Sequence, residues 1–356
     1  MNFASDNAAG ASEKVMAAVL AANAGAAMPY GADPWTAAAE KALCEIFERD
    51  CAAFLLPTGT AANALALASL APPWGAVFCH HDAHVMDDEC GAPEFFTAGA
   101  KLIGLEGDAG KIAPGDFARA LRAFPRGVVK QAQPAALSLT QATESGTLYS
   151  IAEISEFSEL ARAAGVGVHM DGARFANALV SLGASPAEMT WKAGVDILSL
   201  GASKNGTLAC EAVIFFDRAR AADFAFRRKR AGHTLSKGRY LGAQMTAWLD
   251  GGHWLDLARA ANESAARLDS GLAALPGVRL PWGCEANEVF VIVPRVVEAA
   301  LKAAGATYYD WGGRGLAPRD YLRPGEVFLR LVASFATTRA EVDQVLGVAR
   351  AALAGP

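Results

Sequence analysis

Four short apolar runs in this chain each stop at a cluster of polar residues, and this pattern constrains the fold more than any other feature. Residues 52–56 stop at Pro57-Thr58-Gly59-Thr60, Val77-Phe78-Cys79 at the polar run His80 to His84, Val166 to Met170 at Asp171, and Ile197 to Leu200 at Gly201-Ala202-Ser203-Lys204. Runs this short and this apolar read as strands buried on both faces. Stretches with helical spacing lie before and between them, over 36–48 with Thr36 as N-cap, over 61–70, and over 151–164 ahead of Gly165. Val213 to Phe216 reads as a further strand. Strands alternating with helices predict an α/β architecture around a mostly parallel sheet.

After about Leu241 the pattern changes. One long helical region, roughly 242–275, precedes shorter strands at 288–293 and 327–333 and a last helix from about Thr338. The expected division is an N-terminal segment 1–20, a large domain 21–245 and a smaller α+β domain 246–356. A length of 356 residues fits two domains at roughly 150 each. Hydrophobic residues make up 53% and charged residues 19%, which excludes intrinsic disorder. A net charge of −5 argues against a nucleic-acid surface. No run approaches the roughly 20 strongly apolar residues that span a bilayer. The start, Met1 to Asn7, has no basic stretch before an apolar core, so no secretory signal is expected. The expectation is a soluble, cytoplasmic protein with no nucleic-acid or membrane partner. The six cysteines (Cys44, Cys51, Cys79, Cys90, Cys210, Cys284) have no metal-ligand spacing, so all are expected reduced and mostly buried, with no metal bound.

In open α/β sheets ligands bind beyond the carboxyl ends of the strands, which directs attention to three segments. Pro57-Thr58-Gly59-Thr60-Ala61 joins a strand to a helix, and N–H groups at a helix N-terminus suit a phosphate. A capped helix after a turn accounts for the same residues without a ligand, and no P-loop lysine or G-x-G-x-x-G fingerprint is present. His169-Met170-Asp171-Gly172-Ala173-Arg174 ends a strand in a carboxylate with arginine three residues on. Ser203-Lys204-Asn205-Gly206 places a lysine at a strand end, in the crevice, where a desolvated amine becomes a nucleophile. One chemistry needs all three. Pyridoxal phosphate requires an anion cradle, a lysine for a Schiff base and an acid that keeps its ring nitrogen protonated.

These segments belong to a longer set. Ser5-Asp6-Asn7, Tyr30-Gly31-Ala32-Asp33-Pro34, Pro57 to Asn63, Ala83-His84 with Glu89-Cys90-Gly91-Ala92-Pro93-Glu94, Thr140-Gln141-Ala142-Thr143-Glu144, His169 to Arg174 and Ser203 to Gly206 together resemble the low-specificity L-threonine aldolases of the β-eliminating-lyase group. The resemblance runs almost the whole length. It implies an aspartate-aminotransferase-like fold type I, with a mostly parallel central sheet flanked by helices and a smaller C-terminal α+β domain. It implies pyridoxal 5'-phosphate as cofactor and retro-aldol cleavage of L-threonine, L-allo-threonine and related β-hydroxy-α-amino acids to glycine and an aldehyde. It also implies a homotetramer, a dimer of dimers with shared active sites to which the N-terminal segment contributes.

Carried over position by position, the resemblance makes Lys204 the Schiff-base lysine and Asp171 the partner of the ring nitrogen. His84 stacks on the ring and handles the substrate β-hydroxyl proton, while Gly59 and Thr60 hold the phosphate. Arg174 lies near the phenolic oxygen and the substrate carboxylate, Ser5 and Tyr30 face the substrate, and Arg330 matches the arginine for the α-carboxylate. The basic run Arg227-Arg228-Lys229-Arg230 with Lys237 reads as a solvated helix face. In the family this region nears a subunit interface, so Arg230 or Lys237 is the candidate for a neighbour's phosphate. One position departs from the pattern. Many threonine aldolases have a second histidine where Glu144 stands, which leaves phenylserine cleavage, or another pyridoxal-phosphate lyase or racemase reaction, as the alternative.

Overall fold

The computed structural model describes residues 1–313 and 315–355. The chain opens with α1 (Glu13–Ala22), α2 (Pro34–Ile46), β1 (Ala52–Leu56), α3 (Gly59–Leu70), β2 (Gly75–His80), α4 (His84–Asp87), α5 (Ala92–Phe96) and β3 (Lys101–Leu105). It continues with α6 (Pro114–Ala123), β4 (Gln133–Thr140), α7 (Ile151–Ala163), β5 (Gly167–Gly172), α8 (Phe175–Leu182), β6 (Ile197–Gly201) and β7 (Glu211–Phe215). The last third holds α9 (Phe224–Arg230), α10 (Arg239–Leu249), α11 (His253–Ala273), β8 (Glu288–Pro294), α12 (Arg295–Ala303), β9 (Tyr309–Asp310), β10 (Glu326–Val332) and α13 (Arg339–Ala354).

Seven strands form one sheet in the order β1-β7-β6-β5-β4-β2-β3. Only β7 runs against its neighbours. Strands β2, β5, β6 and β7 are buried at every residue, as a sheet covered by helices on both faces requires. Helix α3 is apolar on nearly every side, with Ala61 to Ala68 all buried, and it lies against Leu56, Ile197, Val213 and Phe215 of the sheet. Because β7 is reversed, its first residue Glu211 lies opposite Gly201, the last residue of β6. Glu211 therefore stands at the same end of the sheet as the polar residues that follow the other strands.

A second sheet, β8-β10-β9, is antiparallel and alternates along each strand. Val289, Val291 and Val293 of β8 and Leu329 and Leu331 of β10 face a core with α11, α12 and α13. Phe290, Ile292 and Phe328 pack on the other side against Trp282 and Trp311. Each such buried side chain contributes about 1.5–3 kcal/mol by leaving water. Phe3 joins this second core, so the two ends of the chain meet there.

The first strands and helices stand within a few residues of their expected positions. Helix α2 starts earlier than expected. Its cap is Asp33, whose Oδ1 accepts the Thr36 N–H at 2.8 Å and whose Oδ2 accepts the Thr36 hydroxyl at 2.9 Å. Pro34, which has no N–H to satisfy, takes the first helical position. The helical region 242–275 is two helices, because Gly251 (φ 65°) and Gly252 (φ 76°) adopt the left-handed region between α10 and α11. Helix α11 changes cores along its length, with Trp254 and Ala258 in the main core and Leu268 and Leu272 in the second. All six cysteines are free; Cys51, Cys79 and Cys210 are buried, Cys44 and Cys284 half-buried, and Cys90 exposed. No helix among the described residues is long and apolar enough to cross a membrane.

Candidate active site

A cavity of about 230 Å³ opens at the carboxyl ends of the parallel strands. Gly59, Thr60 and Asn63 of α3 line it, with His84, Glu89, Glu144, Asp171, Ser199, Gly201, Lys204, Glu211 and Asn7. Asp171, Gly201, Lys204, Glu211 and Glu144 arrive from strand ends or the turns after them, and Gly59 and Thr60 open the helix after β1. Asn63 comes from within α3, His84 and Glu89 from the start of α4 and the turn after it, and Asn7 from the N-terminal segment. Thr58 caps α3, its side chain accepting the Ala61 N–H at 3.2 Å, which aims the first turn of the helix at the cavity. An added Cβ at Gly59 would meet nothing within 4 Å. The backbone there is open to a ligand, and the helix terminus favours an anion.

Asp171 ends β5 buried. Its Oδ1 accepts the Ala173 N–H at 3.0 Å and its Oδ2 accepts from Asn63 Nδ2 at 2.8 Å. Behind it on the same strand His169 is fully buried, with Ser138 Oγ 2.9 Å from Nδ1 and Ser199 Oγ 2.9 Å from Nε2. Burial pushes its imidazole down to about 4, so it stays neutral. His84 lies at the start of α4, with Nδ1 2.9 Å from Glu89 Oε1. That hydrogen bond raises the affinity of His84 for a proton, against its burial, and the Asp171 and Glu144 carboxylates act in the same direction.

Lys204 sits in a short turn after β6, in the cavity wall. Its charge acts on Glu211 and Asp6. Burial pushes the Glu211 carboxyl up to about 7, although the Ser203 side chain, the Ala202 N–H (2.7 Å) and Lys204 all favour its charge.

Beside the cavity a buried ionic cluster joins three parts of the chain. Asp6 takes the Arg174 guanidinium at both oxygens, Nε to Oδ2 at 2.7 Å and Nη2 to Oδ1 at 3.1 Å. Glu288 Oε2 stands 3.1 Å from Arg174 Nη1, and Glu288 Oε1 3.9 Å from Arg330 Nη1. Burial works against the Arg174 charge, but Asp6 and Glu288 outweigh it and hold the guanidinium protonated. Burial raises the Glu288 carboxyl while Arg174 and Arg330 pull it down.

The family model for beta-eliminating lyases matches residues 2–295. The chain belongs to the beta-eliminating lyase family. The low-specificity L-threonine aldolase of Pseudomonas aeruginosa is 44% identical over 88% of this chain and 90% of its own length. The enzyme of the same name from Pseudomonas sp. (strain NCIMB 10558) is 40% identical over 99% and 97%. Among solved structures, the threonine aldolase of Leishmania major superposes with a TM-score of 0.91 at 27% identity, covering 99% of both chains. The expected fold type I architecture is the one observed.

Within this family fold, Lys204, Asp171, His84, Gly59, Thr60 and Glu144 share one cavity. Arg174 adjoins it through Ala173, and Arg330 connects to it through Glu288 and Arg174. The Arg330 guanidinium stacks over Trp311 at 4.3 Å and Tyr309 at 5.3 Å. Ser5 is not among the lining residues. Its hydroxyl caps the next turn, accepting the Asn7 N–H at 3.1 Å; Asn7 lines the cavity, and Asp6 binds Arg174 beside it. Tyr30, 54% exposed, lies in a separate groove with Arg228, Leu235 and Gly238, under the Lys229 ammonium at 4.6 Å. Lys237 and Arg230 are exposed on that side.

Sequence reading passed over Asn63, Glu89, Glu211 and Glu288 as functional residues. Two signals were present. Glu211 and Glu288 are lone acids at the heads of otherwise apolar strands, Glu-Ala-Val-Ile-Phe and Glu-Val-Phe-Val-Ile-Val. Asn63 is the one polar residue in the buried stretch of α3, where an unpaired amide would cost free energy.

Proposed function

We propose that this chain binds pyridoxal 5'-phosphate in the cavity and cleaves L-threonine, L-allo-threonine and related β-hydroxy-α-amino acids to glycine and an aldehyde. The observation that carries the reading is the convergence of Lys204, Asp171 and His84 on one cavity with the N-terminus of α3. The donor set fits that cofactor. Lys204 offers the primary amine for its aldehyde, and the α3 terminus, open at Gly59, offers N–H groups for its phosphate. Asp171, already holding two N–H donors, offers a carboxylate to the ring nitrogen. When bound, the cofactor supplies an electron sink for the carbanion left by carbon–carbon cleavage.

The remaining roles fall to the protein. Arg174 and Arg330 bind the substrate carboxylate and orient the Cα–Cβ bond, with Ser5 and Tyr30 completing the substrate site in the assembled enzyme. His84 accepts the β-hydroxyl proton at Nε2 as the bond breaks. Glu144, standing where many threonine aldolases have a second histidine, adds a negative charge on the substrate side of His84. The same reading includes a cytoplasmic homotetramer, a dimer of dimers in which Lys237 or Arg230 reaches a neighbour's phosphate. The exposed Leu20, Met28, Tyr30, Phe226 and Leu235 give this part of the chain an apolar surface suited to such a contact.

The test is to supply the purified, cofactor-loaded protein with L-threonine and L-phenylserine and to quantify glycine and both aldehydes. Acetaldehyde with equimolar glycine is expected, and Lys204→Ala abolishes it. Benzaldehyde with little acetaldehyde reassigns the substrate to phenylserine. Absence of both aldehydes, or near wild-type turnover by Lys204→Ala, rejects the retro-aldol reading.

A further inference from the structure

We infer that Glu89 and Asn63 are positioning residues that make His84 the base of this site, through one hydrogen-bonded chain running from His84 to Asp171. The inference rests on the function proposed above and deepens it. The chain is continuous. His84 Nδ1 lies 2.9 Å from Glu89 Oε1, and Asn63 Nδ2 donates to that same oxygen at 2.8 Å and to Asp171 Oδ2 at 2.8 Å. Only the –NH2 end of the Asn63 amide can face two carboxylates, so its two hydrogens are committed one to each. Asn63 and Glu89 are 3% and 4% exposed, which shields the chain from competing water.

This arrangement decides the tautomer of His84. Glu89 Oε1 already accepts from Asn63 and, as a carboxylate, has only acceptor sites to offer, so the proton between the ring and Glu89 sits on Nδ1. The lone pair is then on Nε2. That atom has no hydrogen-bond partner among the described residues, and the ring lines the cavity with its side chain 34% exposed. In the reaction the β-hydroxyl O–H bond breaks, Nε2–H forms, and the O–H electron pair becomes part of the aldehyde C=O as Cα–Cβ opens. Burial raises the Glu89 carboxyl, and the nearby Asp171 charge adds to this, while its hydrogen bonds with His84 and Asn63 favour the charged form in which it stabilises the imidazolium. The carboxylates acting on His84 are Glu89 from the turn after α4, Asp171 from β5 and Glu144 from the turn after β4. Lys204 and Glu211 line the same cavity from β6 and β7. Of the three carboxylates only Glu89 touches the ring. Asn63 holds Glu89 in place and ties it to Asp171, the residue that would hold the cofactor's ring nitrogen.

Glu89→Gln keeps the shape and removes the charge. In the cofactor-free protein, NMR titration of His84 is expected to show its pKa fall by at least one unit. In the loaded enzyme kcat on L-threonine falls about 10–100-fold with KM within threefold, and the acidic limb of the kcat profile moves to lower pH. If Glu89→Gln does not fold, Glu89→Asp serves. It keeps the charge but draws it back from the ring, so the His84 titration falls by less and kcat falls. An unmoved His84 titration overturns the inference, as does a loss of kcat with the acidic limb in place, which is the signature of a structural role alone. A wild-type protein that releases no aldehyde rejects the proposed function instead, and the titration of the cofactor-free protein then decides the inference by itself.

Discussion

Glu211 shows what a single buried acid does to the whole chain. It is 6% exposed, sits at the head of β7 and accepts the Ala202 N–H from the segment that carries Lys204. Burial holds its carboxyl at about 7 against an ordinary 4.5. The folded state therefore keeps this proton longer than the unfolded chain does. The sign follows: stability from this group is complete below about pH 4.5 and declines as pH rises to about 7, by about 3 kcal/mol. Unfolding in urea across pH 4.5–8 is expected to show the cofactor-free wild type losing about this much relative to Glu211→Gln. Parallel stability curves for the two proteins reject the assignment. The strand expected at Val213 to Phe216 begins at Glu211, so the lone acid that heads it fell outside the expected element. Only the reversal of β7 brings it to the ligand end of the sheet.

Two glycines at the ends of elements lead to opposite expectations. An added Cβ at Gly59 meets nothing within 4 Å, so Gly59→Ala folds with stability within about 1 kcal/mol of wild type. Its methyl group stands at the open end of α3, where an anion would approach, and pyridoxal phosphate affinity is expected to fall about tenfold. At Gly201 an added Cβ would lie 2.6 Å from Ala173 Cα, a backbone atom that cannot swing aside. Gly201→Ala is expected to lose 2 kcal/mol or more of stability, on the order of other overpacked sites. Thermal unfolding with an absorbance titration of the cofactor separates the two, and equal cofactor affinity in Gly59→Ala and wild type rejects the phosphate cradle. Strand ends of this kind were legible in advance because a buried strand must be apolar and its exit polar. β3 and β4 were not, for physical reasons. β3 is a sheet edge with Lys101 and Gly104 exposed, and β4 begins Gln133-Pro134. The break between α10 and α11 was hidden because two glycines in helical spacing read as tolerated until their positive φ is seen.

At the scale of the whole molecule, Asp6 ties together segments far apart in sequence. It binds Arg174 after β5 at both oxygens, and Asn287 ahead of β8 donates to its Oδ2 at 3.0 Å. Asn287 also donates to the Ala333 carbonyl at 2.7 Å, while Phe3 packs in the second core and its carbonyl accepts the Val332 N–H at 2.8 Å. The first six residues thus join the second sheet to the arginine beside the cavity. Their motif was visible in the sequence, but their partners were not, since nothing local pairs residue 6 with 174 and 287. Asp6→Ala leaves the Arg174 guanidinium buried with Glu288 as its only carboxylate within 4 Å among the described residues. Breaking one side of a buried pair costs about 3–5 kcal/mol. Burial would raise the Asp6 carboxyl, but Arg174 and Lys204 outweigh it and hold it below its usual range. A depressed acid contributes its stability above the unfolded value near 3.9 and loses it as pH falls through the folded value. The gap between wild type and Asp6→Ala is therefore expected to be full at pH 6 and to narrow below about pH 4. Urea unfolding at pH 6 and pH 3 measures both, and a gap under 1 kcal/mol at pH 6 means that this N-terminal tie holds nothing the two sheets do not hold without it.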